Sequence, residues 1–115
     1  MTFPGDDPLG DGTLRLPIGV EAVGDDLVVV TVHGDVDLSE AGELRAVLND
    51  AASGPHRTVM VDLSNVRFIG STGMGVLIEV YNRLTEVDRV LVVHEPSDRI
   101  RRAFEIAGVD FLFDR

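Results

Sequence analysis

A strand, a loop and a helix follow one another in residues 59–84, and this stretch constrains the fold more than any other. Residues 59–63 form a short apolar run that ends in the polar pair Ser64 and Asn65. After Gly70 the apolar residues recur at helical spacing, which predicts a helix that begins where the loop ends. Any chemistry of this unit is expected at the first two residues of that helix, Ser71 and Thr72.

The residues at this helix start allow two interpretations. A Ser or Thr oxygen can accept a hydrogen bond from a first-turn amide, so Ser71 and Thr72 could simply cap the helix. Gly73 and Gly75 suggest a further requirement, because each glycine inside a helix costs about 1 kcal/mol relative to alanine. They predict either tight packing of the helix on the sheet or close approach of a ligand or partner, and a helix N-terminus favours an anionic one.

The first half of the chain predicts a hairpin and a helix. Residues 14–23 and 27–33 have the pattern of two antiparallel strands, and the nearly continuous apolar run of the second predicts that both of its faces are covered. A helix follows, capped by Ser39 or Asp37, and residues 53–55 end it. Its apolar stripe comprises Leu44, Val47, Leu48 and Ala51.

The second half predicts a helix, a strand and a last helix. Helical spacing continues through residues 77–84, and residues 90–93 form a short apolar strand. Ser97 is expected to cap the last helix and Gly108 to end it. The two phenylalanines of residues 109–113 are expected to fill the core.

The predicted order is β-β-α-β-α-β-α, in which helices join successive parallel strands. We expect an α/β fold with a mixed, mostly parallel sheet, an antiparallel N-terminal edge strand and three to four helices. Residues 1–12 are expected to form a flexible tail and residues 13–115 a single domain. Binding surfaces of open sheets lie beyond the carboxyl ends of the strands, which puts residues 34–39 beside residues 70–75.

Charge and composition limit the partners. Twenty acidic against ten basic side chains give a formal charge of -10, which opposes binding to nucleic acid or anionic membranes and favours a protein partner with basic contact residues. The sequence has no cysteine, so thiol catalysis and thiolate metal sites are excluded and a cytoplasmic location is expected. Neither an export signal nor an apolar run long enough for a membrane span is found, so no membrane insertion is expected.

Residue spacing argues against several kinds of catalytic site. No Gly-Lys pair is present for a phosphate-binding loop, and Ile69 stands where a hydrolase elbow around Ser71 requires glycine. The three histidines lack the spacing of a zinc site. Asp35, Asp37 and Asp62 could gather around a divalent cation, but no dedicated ligand loop supports this alternative. A small nucleotide-binding or hydrolytic domain is therefore the weaker class of function.

Two motifs that occur in order carry a family resemblance. Residues 34–37 read Gly-Asp-Val-Asp, and residues 61–64 with Phe68 lead into Gly-Ser-Thr-Gly-Met-Gly at residues 70–75. This pattern resembles the STAS domain of bacterial anti-sigma-factor antagonists, in which a Gly-Glu-x-Asp turn precedes the first helix and Asp-Ser-Ser/Thr-Gly-x-Gly opens the second. The resemblance runs from about residue 14 to residue 113.

The resemblance implies a binding module that is switched by phosphorylation and is not an enzyme. In that family an ATP-binding anti-sigma factor related to histidine kinases phosphorylates the serine that corresponds to Ser71. In this chain Ser71 is therefore the expected phosphorylation site, and Thr72 is the second candidate. The unmodified antagonist binds the anti-sigma factor and frees a sigma factor, whereas the phosphorylated one does not bind. No cofactor or metal is implied, and a monomer or weak homodimer is expected. The expected partner-binding residues are Asp35, Asp37, Ser39, Gly70, Ser71, Thr72, Gly73, Met74 and Gly75.

Gly70 departs from the family pattern, because that family usually carries aspartate there. Losing the carboxylate removes a group that could orient Ser71 or contact the kinase, although a turn that needs positive φ would also select glycine. Asp35 stands where glutamate is usual. The alternative function is a STAS scaffold subunit of a transport or signalling complex, in which Ser71 is only a contact residue.

Overall fold

A computed structural model describes residues 17–94 and 96–113, and within them strands and helices follow one another in the predicted order. The predicted tail, residues 1–12, and the predicted strand start at residues 14–16 lie outside the described residues. The elements are β1 (Ile18–Val23), β2 (Leu27–His33), α1 (Leu38–Ala52), β3 (Thr58–Asn65), α2 (Ser71–Thr85), β4 (Val90–His94) and α3 (Asp98–Ala107), followed by a short 3-10 helix at Asp110–Leu112.

The described strands form one mixed sheet in the order β1-β2-β3-β4. β1 runs antiparallel to β2, whereas β2, β3 and β4 are mutually parallel. Gly24, with a φ of 71°, makes the tight turn between β1 and β2, since glycine adopts this left-handed conformation without a steric penalty. The predicted α/β fold, with its antiparallel N-terminal edge strand, is confirmed.

One face of the sheet carries the core. Val28, Val30 and Val32 of β2 are fully buried, whereas the residues between them are only half-buried. The buried side chains of the strands and of the three helices belong to a single apolar cluster. The prediction that both faces of β2 are covered is therefore met on one face only within the described chain.

α1 and α2 lie side by side and are linked across their exposed surfaces. Arg45 Nη2 lies 3.2 Å from Glu79 Oε1, and Arg83 Nη1 donates a hydrogen bond of 2.8 Å to Asn49 Oδ1. Exposed pairs of this kind contribute about 0.2–1 kcal/mol, so buried apolar contact holds the helices together. None of the helices in the described ranges combines the length and apolar character that crossing a membrane requires.

The last helix begins and ends as predicted. The Ser97 hydroxyl accepts a hydrogen bond from a first-turn amide, and Gly108, with a φ of 76°, ends α3 in the left-handed conformation. The short 3-10 helix that follows turns successive side chains in different directions, and Leu112 alone of its residues is buried. Phe111 is 41% exposed, so the prediction that it fills the core is wrong, while Phe113 packs against the core and is half-buried.

Candidate functional site

Two loops meet at the carboxyl end of the sheet, and backbone hydrogen bonds join them directly. The Val36 amide donates to the Phe68 carbonyl and the Gly70 amide donates to the Val36 carbonyl, each at 2.8 Å. Gly34 follows the last residue of β2, and its φ of 95° turns the chain away from the strand. The predicted proximity of residues 34–39 and 70–75 is therefore confirmed.

Asp37 caps α1, which confirms one of the two predicted capping residues, Ser39 and Asp37. Its Oδ1 accepts a hydrogen bond of 2.8 Å from the Leu38 amide, and Glu40 Oε1 accepts one of 2.9 Å from the Asp37 amide, which completes a capping box. The Ser39 hydroxyl donates to the second oxygen of Glu40 at 2.8 Å. These hydrogen bonds, first from Ser39 and then from the Asp37 amide, lower the pKa of the Glu40 carboxyl.

α2 begins without a side-chain cap. Its N-cap is Gly70, and no side chain accepts a hydrogen bond from the first-turn amides at this position. Ser71 and Thr72 are the first two helical residues, so the interpretation in which their hydroxyls cap the helix is not supported. Gly70 has a φ of -83°, which any residue can adopt, so a need for positive φ does not explain the glycine.

The two glycines inside α2 have different surroundings. A Cβ atom built on Gly73 would lie 2.8 Å from Val36 Cγ1 and 2.9 Å from Ile69 Cγ1, closer than ordinary carbon contacts. Gly73 therefore lets α2 pack directly on the bridged loops. A Cβ atom on Gly75 would meet nothing within 4 Å, and Gly75 is exposed. Of the two predicted reasons for glycine, tight packing accounts for Gly73 only.

The predicted binding residues divide into an exposed set and a buried set. Gly73 and Met74 are buried in the described structure, and their role as partner-binding residues stays a prediction. Gly70 is half-buried, and a Cβ atom on it would lie 3.6 Å from Asp37 Oδ1. The exposed set comprises Asp35, Asp37, Ser39, Ser71, Thr72 and Gly75.

Charged and polar groups around the site are solvated or already paired. Asp35 Oδ1 lies 3.9 Å from Arg67 Nε, and both side chains are well exposed, so this ion pair contributes little. Asp62 is half-buried and accepts the Ser64 amide at 2.9 Å. No group of three His, Asp or Glu side chains in the described chain is arranged to hold a metal ion, so the alternative cation site is not supported.

Two surface cavities lie next to β4, and neither is lined by a residue of the bridged loops or of the start of α2. One is lined by residues such as Arg57, Tyr81 and Arg89 at the start of β4, and the other by residues such as Met60 and Val92 along it. The exposed residues of the candidate site lie on the surface at the carboxyl end of the sheet.

Sequence reasoning missed two exposed apolar side chains at this surface. Leu38, the first residue of α1, is 72% exposed, and Phe68, in the loop before α2, is 47% exposed. Helical spacing groups Leu38 with the buried Ala41, and only the position of Leu38 directly after the capping residue, at the end of the helix, hints at its exposure. The sequence gives no such signal for Phe68, whose exposure depends on the bridge between the loops.

Comparisons with known proteins agree on one family. A family model described as Mlab, STAS domain, matches residues 20–114. An anti-sigma-B factor antagonist of Staphylococcus aureus is 36% identical over 80 residues, which are 70% of this chain and 74% of that protein.

Solved structures share the fold. An anti-sigma factor antagonist from Mycobacterium paratuberculosis has a TM-score of 0.77 at 24% identity, covering 98% of this chain and 87% of that one. The anti-sigma factor antagonist SpoIIAA in its unphosphorylated form has a TM-score of 0.75 at 22% identity, covering 85% of this chain and 86% of that one. The phosphorylated form of SpoIIAA, from Bacillus, has a TM-score of 0.68. With the family match over most of its length and a relative at 36% identity, this chain belongs to the STAS-domain family, together with anti-sigma factor antagonists.

Proposed function

We propose that this protein is an anti-sigma factor antagonist, which binds an anti-sigma factor through the surface around Ser71 and is released by phosphorylation of that residue. One observation carries the proposal: the Ser71 hydroxyl is exposed at the first position of α2, directly beside the loop of Asp37, in a chain related to anti-sigma-B factor antagonists. The partner would be an ATP-binding anti-sigma factor with serine kinase activity, and the protein itself would act by binding in the cytoplasm.

A phosphate on Ser71 would leave the fold intact. It adds about -1.5 to -2 charge at neutral pH, and the N-terminus of α2 carries about half a positive elementary charge. Because Gly70 provides no side-chain cap, the first-turn amides of α2 have no side-chain acceptor that the phosphate would displace. The modification therefore changes the surface and leaves the architecture unchanged.

The same phosphate would prevent binding. When a partner covers Ser71, the added charge must be desolvated or paired, and an unpaired buried charge costs about 3–5 kcal/mol. At about 1.4 kcal/mol for each tenfold change in affinity, this loss is enough to abolish moderate binding. The nearby carboxylates of Asp35 and Asp37 repel the phosphate, and this repulsion adds to the cost of burying it.

A second candidate is a STAS scaffold subunit without a phosphorylation switch. Gly70 favours it, because the aspartate usual in the antagonists is missing directly before the phosphoacceptor position. In such a scaffold Ser71 would contact a constant partner, and the exposed surface would serve assembly alone. Only the first candidate predicts that a kinase acts on Ser71.

The test uses the purified full chain and each kinase-type anti-sigma factor encoded in the same genome. Binding is measured by isothermal titration calorimetry for the wild type, Ser71→Ala and Ser71→Asp. We expect Ser71→Ala to bind like the wild type and Ser71→Asp to bind at least about tenfold more weakly, since it buries an added charge. Asn82→Asp adds the same charge on the exposed surface of α2 away from the site and should bind normally.

Phosphorylation is followed in the same samples by adding ATP and mapping the modified residue by mass spectrometry. A phosphate on Ser71 in the wild type, its absence in Ser71→Ala and its persistence in Thr72→Ala would agree with the proposal. Equal binding by all of the Ser71 variants, with no modification, would favour the scaffold instead.

A further inference from the structure

Two apolar side chains are exposed on the loops next to the start of α2, where they add little to the stability of the fold. Leu38 is 72% exposed at the start of α1, and Phe68 is 47% exposed in the loop before α2. Neither belongs to the apolar cluster of the core. Single exposed apolar residues are common on protein surfaces, so their meaning depends on how these two are arranged.

The two residues belong to the two loops that are bridged at Gly70. A Cβ atom on Gly70 would lie 3.6 Å from two ring carbons of Phe68 and 3.6 Å from Asp37 Oδ1. Leu38 follows Asp37 directly, and Ser71 follows Gly70 directly. The bridge between Val36 and residues 68 and 70 fixes both loops in this relation. The two bridged loops thus bring two exposed apolar residues, Leu38 and Phe68, to the same end of the sheet as Gly70 and Ser71, and we call these four residues the anchor patch.

The polar groups beside the anchor patch are poorly suited to supply most of the binding energy. Asp37 Oδ1 already accepts the Leu38 amide, and both oxygens of Glu40 accept hydrogen bonds. The Asp35 carboxylate is exposed and lies within ion-pair distance of Arg67. Rim charges of this kind change the association rate and specificity more than affinity, whereas buried aromatic and aliphatic side chains dominate most interfaces.

We propose that Leu38 and Phe68 are the apolar anchors by which this protein holds the anti-sigma factor, and that they enter an apolar recess with basic side chains at its rim. The proposal rests on the proposed function, since the same surface contains Ser71. The net charge of -10 and the carboxylates of Asp35 and Asp37 specify the basic rim. A phosphate on Ser71, in the same patch as the anchors, would have to be buried within an apolar contact, which would explain why one modification is enough to release the partner.

The experiment measures binding to the same anti-sigma factors for Leu38→Ala and Phe68→Ala. The matched controls are Ile106→Ala on α3, where the side chain is 79% exposed, and Val87→Ala after α2, where it is 60% exposed. Each anchor variant should raise the dissociation constant at least about tenfold, because hot-spot truncations commonly have this effect, whereas each control should change it less than about twofold.

Folding is checked independently of binding. Leu38→Ala shortens a side chain that is 72% exposed, so its melting temperature should stay close to that of the wild type. Phe68 also packs beside Gly70, so Phe68→Leu is included as a smaller apolar replacement that keeps this contact in part. Unchanged phosphorylation of Ser71 at saturating kinase would show that the loop of an anchor variant retains its shape.

The outcomes separate this inference from the proposed function. If the wild type binds, Ser71→Asp weakens binding and both anchor variants bind like the controls, the anchor inference is overturned and the phosphorylation switch stands. If Ile106→Ala or Val87→Ala weakens binding as much as the anchor variants, the contact lies elsewhere and the inference is also overturned. If the wild type binds none of the anti-sigma factors, both proposals fail.

Discussion

Gly73 and Gly75 are two residues apart in α2, yet only one of them is required by the fold. Gly73 faces Val36 and Ile69 at distances that leave no room for a methyl group. Gly75 is exposed and open, so its conformational cost in a helix has no intramolecular compensation in the described chain. At the scale of the residue, identical side chains therefore serve packing in one case and leave a bare helix surface beside Ser71 in the other.

We expect opposite effects on stability when each glycine is replaced by alanine. Gly73→Ala should lower the free energy of unfolding by about 1–3 kcal/mol, because the methyl group overpacks the contact with the bridged loops. Gly75→Ala should raise it by about 0.5–1 kcal/mol, because alanine favours the helix. Urea unfolding followed by circular dichroism measures both changes. A Gly73→Ala variant with the same free energy of unfolding as the wild type would contradict the tight contact.

The capping residues show what local sequence can and cannot predict at this scale. A short polar side chain before an apolar stripe limits the cap of α1 to Asp37 or Ser39, but this local signal does not choose between the two. Gly70 was not predicted as the cap of α2, because its position depends on a hydrogen bond to Val36 in another loop. The exposure of Phe68 depends on that same long-range contact, and no periodic pattern contains it.

α1 begins with a capping box whose acceptor is a titrating carboxylate. The hydrogen bonds that lower the pKa of Glu40 also fix the loop that carries Asp37. A carboxyl whose pKa is lower when folded stabilises the fold above its unfolded pKa, and this contribution is lost as the pH falls through the folded pKa. At the scale of the element, the start of α1 is therefore sensitive to acid.

Glu40→Gln should reduce this acid sensitivity. Glutamine still accepts the Asp37 amide but does not titrate, so the variant should lose less stability than the wild type as the pH falls below about 4.5, the ordinary value for Glu40. Thermal melts at about pH 7 and at successively lower pH values measure the difference. Glu105→Gln on the exposed surface of α3 is the control. If the melting temperatures of Glu40→Gln and the wild type fall by the same amount as the pH is lowered, this role of the capping box is contradicted.

Elements were predicted well where periodicity was strong and poorly where a partner element decides the outcome. The strands and helices in the described ranges occur in the predicted order, because alternating and helical apolar spacings differ clearly. Phe111 was assigned to the core because aromatic residues favour burial, but the turn that carries it directs Leu112 inward instead. The apolar run of β2 predicts that both of its faces are covered, but only alternate residues are buried. A continuous apolar run does not show which faces of a strand the helices cover.

The surface proposed for recognition and the hydrogen bonds of Arg89 lie at opposite ends of the sheet. Ser71 and the bridged loops lie at the carboxyl end of the parallel strands, whereas Arg89 lies at their opposite end. There the Arg89 guanidinium donates to three backbone carbonyls, those of Ala52, Gly54 and His56. These contacts join the end of α1 and the start of β3 to the start of β4.

Arg89→Lys should destabilise the whole molecule and leave recognition unchanged. Lysine keeps the charge but cannot present the planar fork of donors, and lost hydrogen bonds to half-buried carbonyls cost about 1–3 kcal/mol. Urea unfolding gives the stability, and calorimetry with the anti-sigma factor gives the affinity. Arg83→Lys, which affects one exposed hydrogen bond, is the control. Weaker binding by folded Arg89→Lys would show that the two ends are coupled.

The bridge between Val36 and residues 68 and 70 is made of main-chain atoms alone. Neighbouring side chains can therefore be exchanged without loss of the bonds that hold the two loops in register. A bacterium that keeps several such proteins could give each a different pair of anchors on the same frame, and so insulate parallel signalling pathways from cross-talk. Transplanting residues 38 and 68 between related chains would then be the minimal way to redirect a pathway.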